Sequence, residues 1–267
     1  MATIDFRGKT IHYNDSGAGS ALVLLHGFTE SQEIWNDYAE ALSGSFRVIT
    51  VDLPGHGKSD CVGDVHAMEE MAAIVRSVLD KIDVYQCVMI GHSMGGYVTL
   101  AFADMFPSMI RGFGLFHSHA LADTDEAKTN RDRAIEIIRK DKGKWMANFI
   151  PDLFTSKSRD LFAPEIAELV ARAKAISKES LIAAQEGMKR RKMRIDLLTD
   201  SEVPVLFIIG MDDTRVPFEK ALAQMALASE THSLILRNVA HMGYIEAKNT
   251  CLHAIKAFTG RCFGTNI

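Results

Sequence analysis

Five residues at the end of an apolar run carry the sharpest chemical signal in this 267-residue chain: Gly91-His92-Ser93-Met94-Gly95. The run Cys87–Ile90 reads as a buried strand and helical spacing resumes near Gly96, so Ser93 falls on a tight strand-to-helix turn. Such a turn strains the backbone and leaves no room for bulky neighbours, hence the flanking glycines. It also aims the first amides of the helix at the place where negative charge develops when a hydroxyl attacks a carbonyl. A serine nucleophile needs a base. Of the ten histidines, His241 alone stands between the last expected strand and the final helix. The base in turn needs a carboxylate to orient it. Asp212 and Asp213 both follow the apolar run Val205–Ile209 and compete for that place; either would otherwise cap a helix starting near Val216-Pro217.

A second motif, His26-Gly27-Phe28, ends the apolar run Ala21–Leu25. Its glycine permits close approach to a substrate, and His26 is suited to pinning the loop. With the residue after the nucleophile, it offers two backbone amides, those of Phe28 and Met94, as an oxyanion hole.

The elements that must position these groups alternate along the chain. Thr3–Phe6 and Thr10–Tyr13 form a hairpin about Arg7-Gly8-Lys9, and residues 15–20 read as a loop. Ala21–Leu25, Arg47–Val51, Cys87–Ile90, Gly112–Phe116, Val203–Ile209 and Ser233–Leu236 are apolar without alternation, as strands buried on both faces are. Trp35–Leu42, Val65–Lys81 and Tyr97–Met105 carry apolar residues at helical spacing. The alternation predicts an α/β fold, a mostly parallel central sheet flanked by helices. It breaks over residues 120–198, where Glu126–Lys140, Glu165–Ser177 and Ser180–Met188 are helical and no strand is expected. This stretch is read as a helical cap insertion over the carboxyl edge of the sheet. Its Trp145, Met146, Phe149, Phe154, Phe162 and Met188 are candidates for the roof of an apolar pocket.

Taken with Asp52-Leu53-Pro54-Gly55-His56-Gly57-Lys58-Ser59 and Gly210-x-x-Asp213-x-x-Val216-Pro217, these motifs resemble the α/β-hydrolase superfamily. The likeness covers residues 1–119 and 199–267 through motifs, and 120–198 through position alone. It implies an α/β-hydrolase core interrupted by a cap. It also implies Asp213 as the acid, three residues after Gly210, and a structural turn at Asp52–Ser59 with no catalytic role for His56. Serine at the elbow, where epoxide hydrolases and haloalkane dehalogenases carry aspartate, argues against both.

The resulting expectation is a serine hydrolase cleaving small to medium carboxylic esters through an acyl-enzyme, with the triad Ser93, Asp213 and His241 and no metal or organic cofactor. The same residues also suit carbon–carbon or amide hydrolysis, or a receptor that keeps an intact triad to bind a small ligand. His26, His117, His119 and Trp145 are candidate substrate contacts, although loop histidines are more often satisfied structurally. The basic run Lys189-Arg190-Arg191-Lys192-x-Arg194 reads as a solvated face, or else as a means of steering an anionic partner. A formal net charge of −4 carries no nucleic-acid footprint. The longest apolar runs are too short to span a bilayer, and the N-terminus has no signal-peptide core. Four cysteines without metal spacing complete the picture of a cytoplasmic protein acting on a small-molecule ester.

Overall fold

The structure, a computed structural model, describes residues 2–265. A hairpin opens the chain. β1 (Ala2–Phe6) and β2 (Lys9–Ser16) pair antiparallel, turning at Arg7 and Gly8, both with positive φ. β2 continues to Ser16 because Tyr13–Ser16 pairs antiparallel with β4 (Arg47–Val51). That pairing takes in Asp15 and Ser16, whose composition reads as loop.

The runs that lack alternation become interior strands: β3 (Ala21–Leu25), β5 (Cys87–His92), β6 (Ile110–Phe116) and β7 (Val205–Gly210). With β8 (Thr231–Leu236) they complete an eight-stranded sheet ordered β1-β2-β4-β3-β5-β6-β7-β8, parallel from β4 onward. Every residue of β3, β5 and β7 is buried, as strands covered by helices on both faces must be. The registers align the carboxyl ends. Leu25 stands beside both Val51 and Gly91, His92 beside Phe116, Phe116 beside Ile208, and Gly210 beside Leu236. Residues just past these positions therefore meet at one edge although they are far apart in sequence.

Three helices belong to the first half: α1 (Asn36–Leu42), α2 (Met68–Lys81) and α3 (Met94–Met105). Between β6 and β7 run five more and no strand: α4 (Asp125–Phe149), α5 (Ser156–Leu161), α6 (Ala163–Ala175), α7 (Lys178–Lys189) and α8 (Ile195–Thr199). Thr124 caps α4 by accepting from the Ala127 amide, and Ser177 caps α7 by accepting from that of Ser180. The backbone of α4 leaves helical angles at Asp141 (φ −151°, ψ 84°). Helical spacing in the sequence stops at Lys140, and Gly143 follows closely. The chain finishes with α9 (Phe218–Met225), α10 (Gly243–Glu246) and α11 (Lys248–Cys262). Among the described residues, no helix is long and apolar enough to cross a membrane.

The basic run is not a solvated face throughout. Arg191 and Arg194 are buried. Arg194 reaches Glu69 of α2 at 2.7 Å and Asp104 of α3 at 3.2 Å, which fastens the helical segment to the core. Arg191 holds Asp123 at 2.5 Å, and Asp123 also accepts from Arg131. Lys189 and Arg190 pair with Glu186.

Candidate active site

Ser93 sits between β5 and α3 with φ 51° and ψ −113°, a positive φ that a serine adopts only under constraint. Its amide donates to the Phe116 carbonyl at 2.8 Å, and its carbonyl accepts from the Ser118 hydroxyl at 2.8 Å, so β6 holds the turn from below. A Cβ on Gly91 would lie 2.1 Å from the Gly95 backbone, and one on Gly95 would lie 2.5 Å from the Leu25 carbonyl. No side chain fits either place.

The Ser93 hydroxyl lies 2.9 Å from His241 Nε2, and His241 Nδ1 lies 2.8 Å from Asp213 Oδ2. His241 is fixed from two sides: its amide donates to the Leu153 carbonyl, and its own carbonyl accepts from His92. Asp213 Oδ1 accepts the amides of Arg215 and Val216 at 2.8 and 3.0 Å. Burial alone would push the Asp213 carboxyl up, but His241 and the hydrogen bond from His117 outweigh it and hold it far below the usual range. Asp213 is therefore ionised. Asp212, by contrast, is exposed.

Two further histidines flank the His241 ring. His117 donates from Nδ1 to the same Asp213 Oδ2 at 3.0 Å, while its Nε2 is buried with no partner. Burial lowers its pKa to about 4 against the opposing pull of Asp213, so the ring is neutral. On the other side, both nitrogens of His92 face oxygens at 2.9 Å, Glu30 Oε2 and the His241 carbonyl. Neither oxygen has a proton to give, so both nitrogens must donate and the ring is an imidazolium. Burial opposes that charge, but Glu30 outweighs it and raises the His92 pKa. Glu30 also accepts from the Gly27 amide at 2.6 Å and the Tyr244 hydroxyl at 3.0 Å. One buried carboxylate thus ties the loop before Phe28, the residue before Ser93 and the helix after His241.

The amides of Phe28 and Met94 donate to no other group among the described residues. His26 and His117 do not line the cavity in front of Ser93. His26 is fully buried, accepting from the Leu53 amide at 2.9 Å and donating to the Gly27 carbonyl at 2.8 Å, and His117 is turned toward Asp213. His26 is withdrawn because both its nitrogens are satisfied by loop backbone, and His117 because its Nδ1 is taken by Asp213. His119 and Trp145 do line the cavity, whose volume is about 580 Å³. Phe149 and Met188 join them, whereas Met146, Phe154 and Phe162 pack within the protein. Trp145 stacks on Phe149 with ring centres 4.4 Å apart, and Phe28 meets both edge-on at 6.0 and 6.1 Å. Glu30 and its link to His92 carry no periodicity or motif in the sequence and were not expected there.

Residues 22–250 match the family model described as the alpha/beta hydrolase family. A relative from Cupriavidus pinatubonensis, 2-hydroxy-6-oxononadienedioate/2-hydroxy-6-oxononatrienedioate hydrolase, is 27% identical over 94% of this chain and 90% of its own length. A thermophilic esterase from Thermogutta terrifontis, solved with malate bound, superposes with a TM-score of 0.90 at 28% identity over 97% of each chain. The enol-lactonase from Burkholderia xenovorans shares the fold with a TM-score of 0.89 at 20% identity, over 96% of this chain and 99% of its own. On the family match and the architecture together, this chain belongs to the alpha/beta hydrolase family and is a hydrolase of that fold.

Proposed function

We propose that the protein is a serine hydrolase acting on small to medium carboxylic esters, with Ser93 as nucleophile, His241 as general base and Asp213 as its orienting acid. The observation that carries this reading is the unbroken chain from Ser93 Oγ through His241 to Asp213, with links of 2.9 and 2.8 Å. His241 takes the Ser93 proton as the oxygen attacks the ester carbonyl. The amides of Phe28 and Met94 hold the resulting oxyanion, each contributing about 3 kcal/mol. Collapse expels the alcohol, which leaves with the proton from His241. Water then attacks the acyl-serine with His241 again as base, releasing the acid and restoring Ser93.

The esterase likeness supports an ester substrate, and the aromatic wall of the cavity suits an acyl or aryl group of limited size. Carbon–carbon hydrolysis is the second reading, favoured by the relative named for the hydrolysis of an oxo-dienedioate. Turnover of p-nitrophenyl esters from acetate to palmitate tests the first, with a peak expected at short or middle chain length. Ser93→Ala should lower that turnover by about a million-fold, as loss of a serine nucleophile does elsewhere. Near-normal turnover in that variant refutes the assignment.

A further inference from the structure

The charges around the cavity are unlike those of the whole chain. The protein has a formal net charge of −4, yet four cations, Arg131, Arg191, Arg215 and Lys220, line the cavity. Its carboxylates are Glu30, Asp123 and Glu126. Glu30 is neutralised by His92 at 2.9 Å. Asp123 is shared between Arg131 and Arg191, so that cluster keeps a surplus positive charge. Glu126 is exposed in the first turn of α4, where an acid complements the helix end. The surplus is felt by His119: burial and the nearby Arg191, Lys220 and Arg131 hold its pKa at about 3, against the single opposing pull of Asp123.

Arg131 and Arg191 are spent. Arg131 also donates to Gln185, and Arg191 lies 4.0 Å over the Tyr97 ring and donates to two backbone carbonyls. Arg215 and Lys220 are not. The guanidinium of Arg215 lies 4.9 Å over the Phe149 ring at the cavity wall. The carboxylates near it are engaged elsewhere, Asp152 with Arg159 at 2.9 Å and Asp213 with the two histidines. Neither Arg215 nor Lys220 forms an ion pair among the described residues. Arg215 is anchored to the chemistry through its own amide, which holds Asp213. Arg215 and Lys220 are both exposed at the open side of the cavity. Two unpaired cations there are matched by an anionic group on the ligand, and a guanidinium stacked on an aromatic ring suits the planar, bidentate carboxylate.

We infer that the cavity is built for a substrate bearing a carboxylate remote from the bond that is cleaved, and that Arg215 with Lys220 on the segment after β7 forms the subsite that receives it. This rests on the ester reading for the identity of the cleaved bond, but not for the existence of the subsite.

The test pairs charged and neutral substrates. Mono-p-nitrophenyl glutarate is compared with its neutral methyl ester, which places the charge on the acyl side. 4-Acetoxybenzoate is compared with its methyl ester, which places it on the alcohol side. In at least one pair the charged ester should have the higher kcat/KM, through a lower KM. Arg215→Gln and Lys220→Gln should each reduce that charged-to-neutral ratio by about ten-fold, the worth of a hydrogen bond to a charged group. Arg190→Gln removes a positive charge outside the cavity and should leave the ratio unchanged. Glutarate binding by calorimetry, which needs no turnover, should weaken in the Arg215 and Lys220 variants. Equal use of charged and neutral esters with unaltered ratios in the variants overturns the subsite and leaves the esterase intact. No turnover of any ester, with glutarate binding that depends on Arg215, overturns the esterase and leaves the subsite. No turnover and no glutarate binding overturns both.

Discussion

The two sides of the His241 ring hold the same residue type at the same depth in opposite states. His117 and His92 are both buried and both donate to a carboxylate, at 3.0 and 2.9 Å. His117 is neutral; His92 is an imidazolium. Burial opposes protonation in each, so depth does not decide the matter. The difference lies in how the carboxylates are used. Asp213 Oδ2 serves two histidines at once, and the far nitrogen of His117 meets no acceptor; Gly243 packs there, its absent Cβ only 2.4 Å from Nε2. Glu30 is held by a single histidine, whose far nitrogen meets a carbonyl. A second proton is kept only where both ring nitrogens find acceptors and the carboxylate is not already shared. One side of the site thus supplies a fixed positive charge that grips the backbone of His241, and the other a neutral donor that steadies its acid.

The strongest way to break the comparison is to remove the shared carboxylate. Asp213→Asn leaves both histidines facing an amide and favours the wrong tautomer of His241. The expected loss in kcat is on the order of ten-thousand-fold, as for the corresponding acid of a serine protease. Asp212→Asn should change kcat only slightly, because Asp212 is exposed and its amide serves the turn by donating to the Val239 carbonyl. The reverse ranking would move the acid to Asp212.

Glu30→Gln breaks the other side. It leaves the His92 imidazolium without a counter-charge, so His92 should lose a proton and the protein about 3 kcal/mol of stability, the toll of opening a buried pair. Nitrogen NMR should show two protonated nitrogens on His92 in the native protein at neutral pH and one in the variant. Two protonated nitrogens in both proteins, with equal melting temperatures, would show that Glu30 does not set the charge.

These two sides differ as much in legibility as in charge. Ser93, His241 and the pair Asp212-Asp213 follow apolar runs, where a strand must stop and a turn must begin, so local pattern locates them, whereas the choice of Asp213 over Asp212 rests on the family resemblance. His117 is equally visible as a residue ending a strand, but its direction is not. Whether it faces substrate or Asp213 depends on its φ of 47° and on a partner 96 residues away. Glu30 lies in the polar stretch Thr29-Glu30-Ser31, which has no period, and meets His92 across 62 residues. The same limit applies to the basic run. Six residues that read as a charged surface include two buried arginines, because their acids, Asp123, Glu69 and Asp104, come from elsewhere in the chain. The positions of strands and of most long helices depend on local pattern and were largely readable; the order of strands in the sheet and the side-chain pairings across the fold were not.

The opposite charge states give opposite pH windows, which sharpen the comparison without disabling the site. The folded pKa of His117, about 4, lies below the ordinary histidine value. Its contribution to stability is full above ~6.5 and is lost as the pH falls toward 4, because the unfolded chain then binds a proton that the folded chain refuses. The folded pKa of His92 is raised, so its contribution is present below the ordinary value and fades as the pH rises through the folded one. Replacing His117 by asparagine should therefore flatten the acid limb of stability by up to about 1.4 kcal/mol per pH unit between those values. Parallel curves of unfolding free energy for the two proteins from pH 7 to 4.5 would show that His117 is not held neutral.

The smallest expected effect is that of the same variant on activity at neutral pH. Asparagine keeps an amide N–H close to the place of the imidazole Nδ1–H, so the hydrogen bond to Asp213 Oδ2 survives. It also tolerates the positive φ of position 117 better than other side chains with a Cβ. Its cost is the lost bulk against Phe116, whose ring stacks on that of His117 at 5.3 Å. His117→Asn should therefore lower kcat only a few-fold, about 1 kcal/mol. His117→Ala keeps the unfavourable φ and leaves Asp213 Oδ2 with one donor instead of two, so the carboxylate is freer to turn away from His241. It should lose more of kcat than the asparagine variant, with KM little changed, because the acid acts on the base and not on bound substrate. Equal losses in the two variants would mean that His117 acts through its bulk, and that the donor shared with Asp213 is idle.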